Sequence, residues 1–338
     1  MKAALITGSY PPEVCGVGDY TSALAAALGA AGASVEIVHE RDWSPLRMAG
    51  VRRRLLAIGA DILHMQYPTK GYGWQLGPQT LALSIPLVMT LHEASQVHVL
   101  RQLSLLPLTL RSPMVIMTNE YEQAYLARLA PWIRRRSVVI PIGSNIKAQK
   151  ACAKMPGSVV TYFGLIRPEK GLENVLKLAA IFKERGDSFS VRIMGVPSPG
   201  SEAYYSRLRS QSGDLPVEWL IELPRERIQE ELARTSMAYL PFPDGASERR
   251  GSLIGMMMHS VAIVTTIGEQ TPRAMSDAVL FAQTPQAAAA ALAGLVQQPG
   301  ERMALQQRAS KYAERFSWER IAAQHVRVYA DLTQPRRV

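Results

Sequence analysis

The stretch PFPDGASERRGSLIGMMMHS, residues 241–260, puts unlike chemistries side by side. A turn (Pro243, Asp244, Gly245) leads to an acid (Glu248), two arginines (Arg249, Arg250) and the pair Gly251 and Ser252, directly before a Met-rich apolar run. That run reads as a helix, so Gly251, Ser252 and Leu253 fall at its N-terminal end, where free backbone N–H groups can hold an anion. Arg249 and Arg250 add positive charge. A carboxylate beside a phosphate is repulsive unless it has another task, such as accepting hydrogen bonds from sugar hydroxyls. The stretch therefore suits a ligand with both phosphate and polyol parts. The alternative is an exposed, charge-balanced loop.

Three other places could do chemistry. In YFGLIRPEKGLENVL, Arg167 and Lys170 flank a turn between a strand and a helix. Arginine offers a diphosphate a bidentate fork and lysine a point charge, although two solvated charges would read the same way. In GSYPPEVCGVGDYT, Gly16 and Gly18 precede a helix and would let a phosphate or sugar hydroxyl approach the backbone, with Asp19 and Tyr20 beside them. The third glycine of a dinucleotide fingerprint is missing, and an ordinary glycine-containing loop remains open. In TLHEA, His92 ends a strand, where an imidazole can bond a substrate or act as a base; a structural histidine is the alternative. His64, inside DILHMQYP, reads as a core or supporting residue.

The elements that must carry these residues alternate between strand and helix. KAALITG, ASVEIVHE, ADILHMQYP, PLVMTLHE, PMVIMTNE and RSVVIPIGSN read as strands, and YTSALAAALGAAG and YEQAYLARLAP as helices. A second series follows: strands SVVTYFGLI, FSVRIMG, VEWLIEL, MAYLPF, VAIVTT and AVLFAQ, with helices GLENVLKLAAIFKERG, RERIQEELARTS and SLIGMMMHS. Such alternation implies βαβ units and parallel sheets, with ligands outside the carboxyl ends of the strands. We expect two α/β domains, 1–147 and 148–315, joined through the polar stretch 147–157 and facing a cleft. The amphipathic segment 316–338 is expected to form a closing helix.

Bulk properties narrow the class. Of 338 residues, 47% are hydrophobic and 20% charged, enough for a packed core. No run of 18 apolar residues suggests a spanning helix, and the short apolar start reads as a strand rather than a signal peptide. Cys15 and Cys152 are expected to be free thiols in a reducing cytoplasm. The net charge of +10 favours anionic partners, and the clusters Arg52–Arg54 and Arg134–Arg136, the latter beside Trp132, suit an anionic membrane surface or a solvated basic face. No nucleic-acid-binding motif appears, and aromatic residues make up only 7%.

Taken in order, these segments resemble the retaining GT-B glycosyltransferases of the large glycosyltransferase family 4-like group. That group includes sucrose synthases, phosphatidylinositol mannosyltransferases and bacterial exopolysaccharide transferases. The resemblance covers nearly the whole chain. SYPPEVCGVGDYTSALAAAL is similar to the opening Gly loop and helix, VVIPIGSNI to the segment closing the first domain, FGLIRPEKGLENVL to the phosphate corner, and PFPDGASERRGSLIGMMMHSVAIVTT to the donor loop and helix. FSWERIAAQHVRVY is similar to the helix that returns to the first domain. One departure stands out. The family carries two glutamates eight positions apart in its donor segment, whereas eight residues after Glu248 comes Met256, and eight after Ser247 comes Gly255.

The resemblance implies two Rossmann-like domains and transfer of a hexose from a nucleoside-diphosphate sugar, with retention, to a sugar or lipid-linked saccharide acceptor. Arg167 and Lys170 would stabilise the leaving diphosphate. Arg250 and the backbone of Gly251, Ser252 and Leu253 would bind it, Glu248 would hold sugar hydroxyls, and His92 would reach the donor sugar. Gly16 and Gly18 would approach the ligands, with Asp19 and Tyr20 on the acceptor side. The resemblance implies no metal or other cofactor, and the sequence, which has no Asp-x-Asp pair, fits this. The protein is expected in the cytoplasm, peripheral at the inner membrane face. The missing second glutamate supports an alternative, a non-catalytic sugar-nucleotide-binding relative or partner subunit. A nicotinamide oxidoreductase shares the architecture, but the failed fingerprint speaks against it.

Overall fold

The structure, a computed structural model, describes residues 1–13, 15–95, 98–146 and 153–334. Residues 147–152 of the expected connection, Cys152 among them, lie outside the described residues. The chain forms two compact units, Met1–Gly143 with Phe316–Val338, and Ser144–Arg315.

The first unit is a six-stranded sheet in the order β2-β1-β3-β4-β5-β6. Its strands are β1 (Lys2–Thr7), β2 (Ser34–His39), β3 (Ile62–Tyr67), β4 (Val88–Leu91), β5 (Val115–Met117) and β6 (Ser137–Val139), each pairing in parallel. Position in the sheet explains the sequence patterns. Interior β1 and β4 are mostly apolar and buried along nearly their whole length, as strands of a parallel sheet covered on both faces are. β2 lies at the edge, and its burial alternates as its sequence does. Along β1, Ala4 and Ile6 enter a core with Trp43, Tyr72 and Leu105, whereas Ala3 and Leu5 enter another with Leu24 and Leu28. The period of two thus builds a core on each side.

The helix Trp318–Thr333 contributes Ile321, Ala322 and Tyr329 to the second of these cores. Ser317 caps it, its side-chain oxygen accepting from the Arg320 N–H at 3.3 Å.

The second unit has the order β12-β11-β10-β7-β8-β9. Here the strands are β7 (Val159–Ile166), β8 (Ser190–Pro197), β9 (Val217–Ile221), β10 (Met237–Leu240), β11 (Ala262–Thr265) and β12 (Leu280–Phe281), again all parallel. The order reverses between β7 and β10, which makes the carboxyl ends of these two strands the natural ligand position. Among the described residues no helix is long and apolar enough to cross a membrane.

The fully buried Ile321 ties the last helix to the first unit. Ile321→Ala should cost about 2–5 kcal/mol. Hydrogen exchange should show protection lost in residues 1–143 and 316–334 and kept in 153–315; equal loss in both units would contradict this division.

Candidate functional site

A cavity of about 570 Å³ opens in the second unit at the carboxyl ends of its central strands. Its walls are largely apolar, with Phe163 and Leu165 from β7, Met194 and Val196 from β8, and Leu220 from β9. Lys170, Arg249, Arg250, Gly251 and Ser252 line it as well. Cations and a helix start therefore share one cavity with a wide apolar wall. The wall residues carry no signal in the sequence beyond their place at strand ends.

Backbone contact creates this convergence. Gly171 adopts φ +76°, and a Cβ there would lie 1.9 Å from the Pro241 carbonyl oxygen. Only glycine allows the turn after β7 to rest on the end of β10. Lys170 is thereby held beside the loop that follows β10. Its ammonium is held below the usual lysine range, first by burial and then by the charges of Arg250 and Arg167. Arg167 itself is exposed and is not among the cavity-lining residues, so it acts on the site through its field.

The helix Gly251–Met258 begins where the sequence places it, with Arg250 as N-cap. Arg250 lies 4.8 Å from the centroid of the Phe242 ring and pairs with Asp244. These contacts aim its guanidinium along the loop. Ser252 Oγ sits close to β7, 3.7 Å from where a Cβ on Gly164 would stand. Leu253 is fully buried, so only its backbone is offered to a ligand.

Glu248 is placed differently from Arg249 and Arg250. Its side chain is 6% exposed and is not among those lining the cavity. Oε1 accepts from the Tyr312 hydroxyl at 2.6 Å and pairs with Arg315 Nη2 at 3.1 Å. Both contacts fall on one oxygen, and both partners come from the end of the second unit, which the sequence reading did not connect to this loop. The absence of a second glutamate also has a packing cause. Met256 is fully buried, and a Cβ on Gly255 would fall 2.5 Å from Ile146 Cδ1. Neither position has room for a solvated carboxylate.

In the first unit, His92 is 4% exposed at the end of β4. It belongs to a buried polar chain. His92 Nε2–H donates to Gln66 Oε1 at 3.1 Å, and the Gln66 amide donates to His64 Nε2 at 3.2 Å. His64 Nδ1 then meets the Tyr329 hydroxyl at 2.6 Å, and its Nε2 lies 2.7 Å from Thr90 Oγ1. His64 is thus a supporting residue, as its mid-strand position suggested. His325 lies beside it, ring centroids 5.7 Å apart. Burial holds all three imidazoles neutral, His92 pushed down to about 3, His325 to about 4, and His64 well below the usual range.

Tyr20 is a correction. Expected on the acceptor side, it is 3% exposed, packed edge-on against His92 at 4.7 Å and against Trp318 at 5.4 Å. The helix Gly16–Ala30 turns Tyr20, Leu24 and Leu28 inward at four-residue steps and leaves Asp19 exposed. Gly16 is exposed at its start, and Gly18 is buried, where a Cβ would stand 2.9 Å from the Ser9 carbonyl. Cys15 differs too. Burial pushes its thiol up, but the backbone N–H groups of Lys70, Gly18 and Val17, with Ser9, bring it below its ordinary value. No basic neighbour announces this in sequence, because backbone groups do the work.

The buried histidines set a pH dependence. Unfolded, they protonate near pH 6.5; folded, they resist protonation until far lower. The unfolded chain binds more protons below pH 6.5, so stability is complete above that value and falls toward pH 4. The loss approaches about 1.4 kcal/mol per histidine per pH unit. Urea denaturation of the first unit's signal at pH 7.5 and 5.5 should show this drop, and a flat profile would contradict neutral, buried imidazoles.

No family model matches the chain. The D-inositol 3-phosphate glycosyltransferase of Corynebacterium urealyticum is 27% identical over 187 residues, 53% of this chain and 44% of that protein, so the match spans under half the relative's length. Among solved structures, a glycosyltransferase from Rickettsia africae superposes with a TM-score of 0.74 at 12% identity, covering 98% of each chain. Sucrose-phosphate synthase from Thermosynechococcus elongatus gives 0.68 at 18% identity, covering 98% of this chain and 99% of that one. Anabaena HepE, solved in complex with UDP and glucose, gives 0.67 at 15% identity, covering 98% and 100%. The chain is built on the GT-B fold of the glycosyltransferases, and its resemblance to that group holds in its motifs and in its structure alike.

Proposed function

We propose that the protein is a glycosyltransferase that moves a hexose from a nucleoside-diphosphate sugar to an acceptor hydroxyl. The observation that carries this reading is the cavity of the second unit, where Lys170, Arg250 and the start of the helix Gly251–Met258 meet an apolar wall. An apolar wall accepts a base, and the cations with free N–H groups accept a diphosphate. Preplaced positive charge stabilises a diphosphate as it leaves, which is the chief catalytic contribution expected of such a site. Lys170 and Arg167 take that role, with the backbone of Gly251, Ser252 and Leu253.

Glu248, its carboxylate held by Tyr312 and Arg315, is assigned a donor-sugar hydroxyl on the resemblance of its motif alone. In the first unit, His92 is assigned a sugar hydroxyl, and Gly16, Gly18 and Asp19 the acceptor. We further propose retention of configuration, independence of metal, and a role in polysaccharide or glycoconjugate synthesis on a saccharide acceptor, lipid-linked or free. These rest on the resemblance of the motifs. The exposed basic clusters support a peripheral membrane setting on the cytoplasmic side.

One observation favours a second reading. Gly255 and Met256 leave no second carboxylate in the donor segment, which suits a protein that binds a sugar nucleotide without turning it over.

The test is a thermal-shift screen of the pure protein against UDP, GDP, ADP, dTDP and their sugar conjugates, with and without EDTA. A nucleotide at a hundredfold excess over its Kd should stabilise the fold by about 2.7 kcal/mol, unaffected by EDTA. Lys170→Ala should lower donor turnover by roughly 10²–10³-fold. No shift with any nucleotide would sink both readings; a shift with no turnover of any donor would leave the binding reading.

A further inference from the structure

The helix Val99–Leu110, in the first unit, is apolar on both sides. Leu105 and Leu108 are buried against the core, yet Leu100, Leu103 and Leu110 are 62%, 58% and 54% exposed on the outside. A surface helix normally presents polar groups outward, and one that is apolar all round is normally covered. The exposed face continues beyond the helix. Trp74 is 71% exposed, and the Arg101 guanidinium stacks over its ring at 4.9 Å while donating to the Gly73 carbonyl. Arg111 donates to the carbonyl of Leu83, itself an exposed leucine.

Charge says what covers this face. From residue 98 to residue 111 the sequence has no Asp or Glu. The far end of the helix adds more cations: Arg136 donates to the Leu110 carbonyl at 3.3 Å, and Arg134 and Arg135 beside it are exposed. Trp132 anchors that cluster by donating to Thr109 Oγ1 at 3.3 Å. An aliphatic stripe with arginines at both ends and a tryptophan at its margin matches a lipid interface, where acyl chains take leucines and anionic headgroups take arginines. A second copy of this chain would set arginines against arginines across a symmetric contact.

We propose that this face docks on an anionic membrane surface, with Leu100, Leu103 and Leu110 at the headgroup–acyl boundary and Arg101, Arg111, Arg134 and Arg135 on headgroup phosphates. This gives the peripheral setting proposed above a defined face, and it does not depend on sugar transfer, which the nucleotide screen tests separately.

The experiment is flotation of the full chain with vesicles of phosphatidylcholine alone and of phosphatidylcholine with phosphatidylglycerol, alongside light scattering of the protein in solution. The expected result is a monomer that floats only with anionic vesicles and is released by salt. The double variant Leu100→Gln with Leu103→Gln should lower partitioning by at least about tenfold at an unchanged thermal midpoint. Arg134→Gln with Arg135→Gln should also lower it, and more weakly at high salt. No flotation by a monomer would overturn the proposal. So would equal binding to neutral vesicles, or a dimer that Leu100→Gln with Leu103→Gln dissolves.

Discussion

The candidate site rests on a contact too close for any side chain. Gly171 lies against the Pro241 carbonyl, which locks the turn after β7 onto the end of β10. These strands are neighbours although they are far apart in sequence, because the sheet order reverses between them. Lys170 comes from one turn and Arg250, Gly251 and Ser252 from the other. Without the glycine contact the two loops would separate, and the cations would be ordinary solvated charges. With it, Lys170 is held below its usual range, first by burial and then by the charges of Arg250 and Arg167. An anionic ligand beside Lys170 would favour its charged form against that burial.

The first unit shows a different constraint. A chain of polar groups runs from His92 through Gln66 and His64 to Tyr329, inside an apolar core. Buried polar groups are tolerated only when bonded, so each member fixes the next. The amide of Gln66 places the His92 proton on Nε2. Tyr329 belongs to the last helix, which means that the orientation of a strand-end histidine depends on a segment more than 200 residues downstream. Burial keeps these imidazoles and that of His325 neutral, at the expense of acid stability.

Glu248 unites the chemistry of the opening motif with the packing around it. A carboxylate beside Arg249, Arg250 and Lys170 is drawn toward their charges. Its bond to Tyr312 and its pairing with Arg315 keep it apart, and the buried Met256 with the Gly255–Ile146 contact closes the space where a second acid would stand. The loop before the helix Gly251–Met258 therefore carries one acid, held by Tyr312 and Arg315 rather than set beside a second carboxylate.

Much of this was legible in the sequence because it is local. Apolar runs and glycine turns marked the strands, the alternation implied two parallel sheets, and the residues at 249–253 fell at a helix start as their order requires. The helix Val99–Leu110 was not read from the sequence, because Pro107 lies inside it and a proline normally ends or breaks a helix. Tyr20 was misplaced because a loop motif was extended one residue into a helix whose register turns that side chain inward. The partners of Glu248, the wall of the cavity and the His64–Tyr329 bond join residues distant in sequence, and no spacing rule connects them. Local order wrote the elements and the charged corners; only the packing of one element on another decided which side chains meet, because burial and hydrogen bonding are satisfied across the fold rather than along the chain.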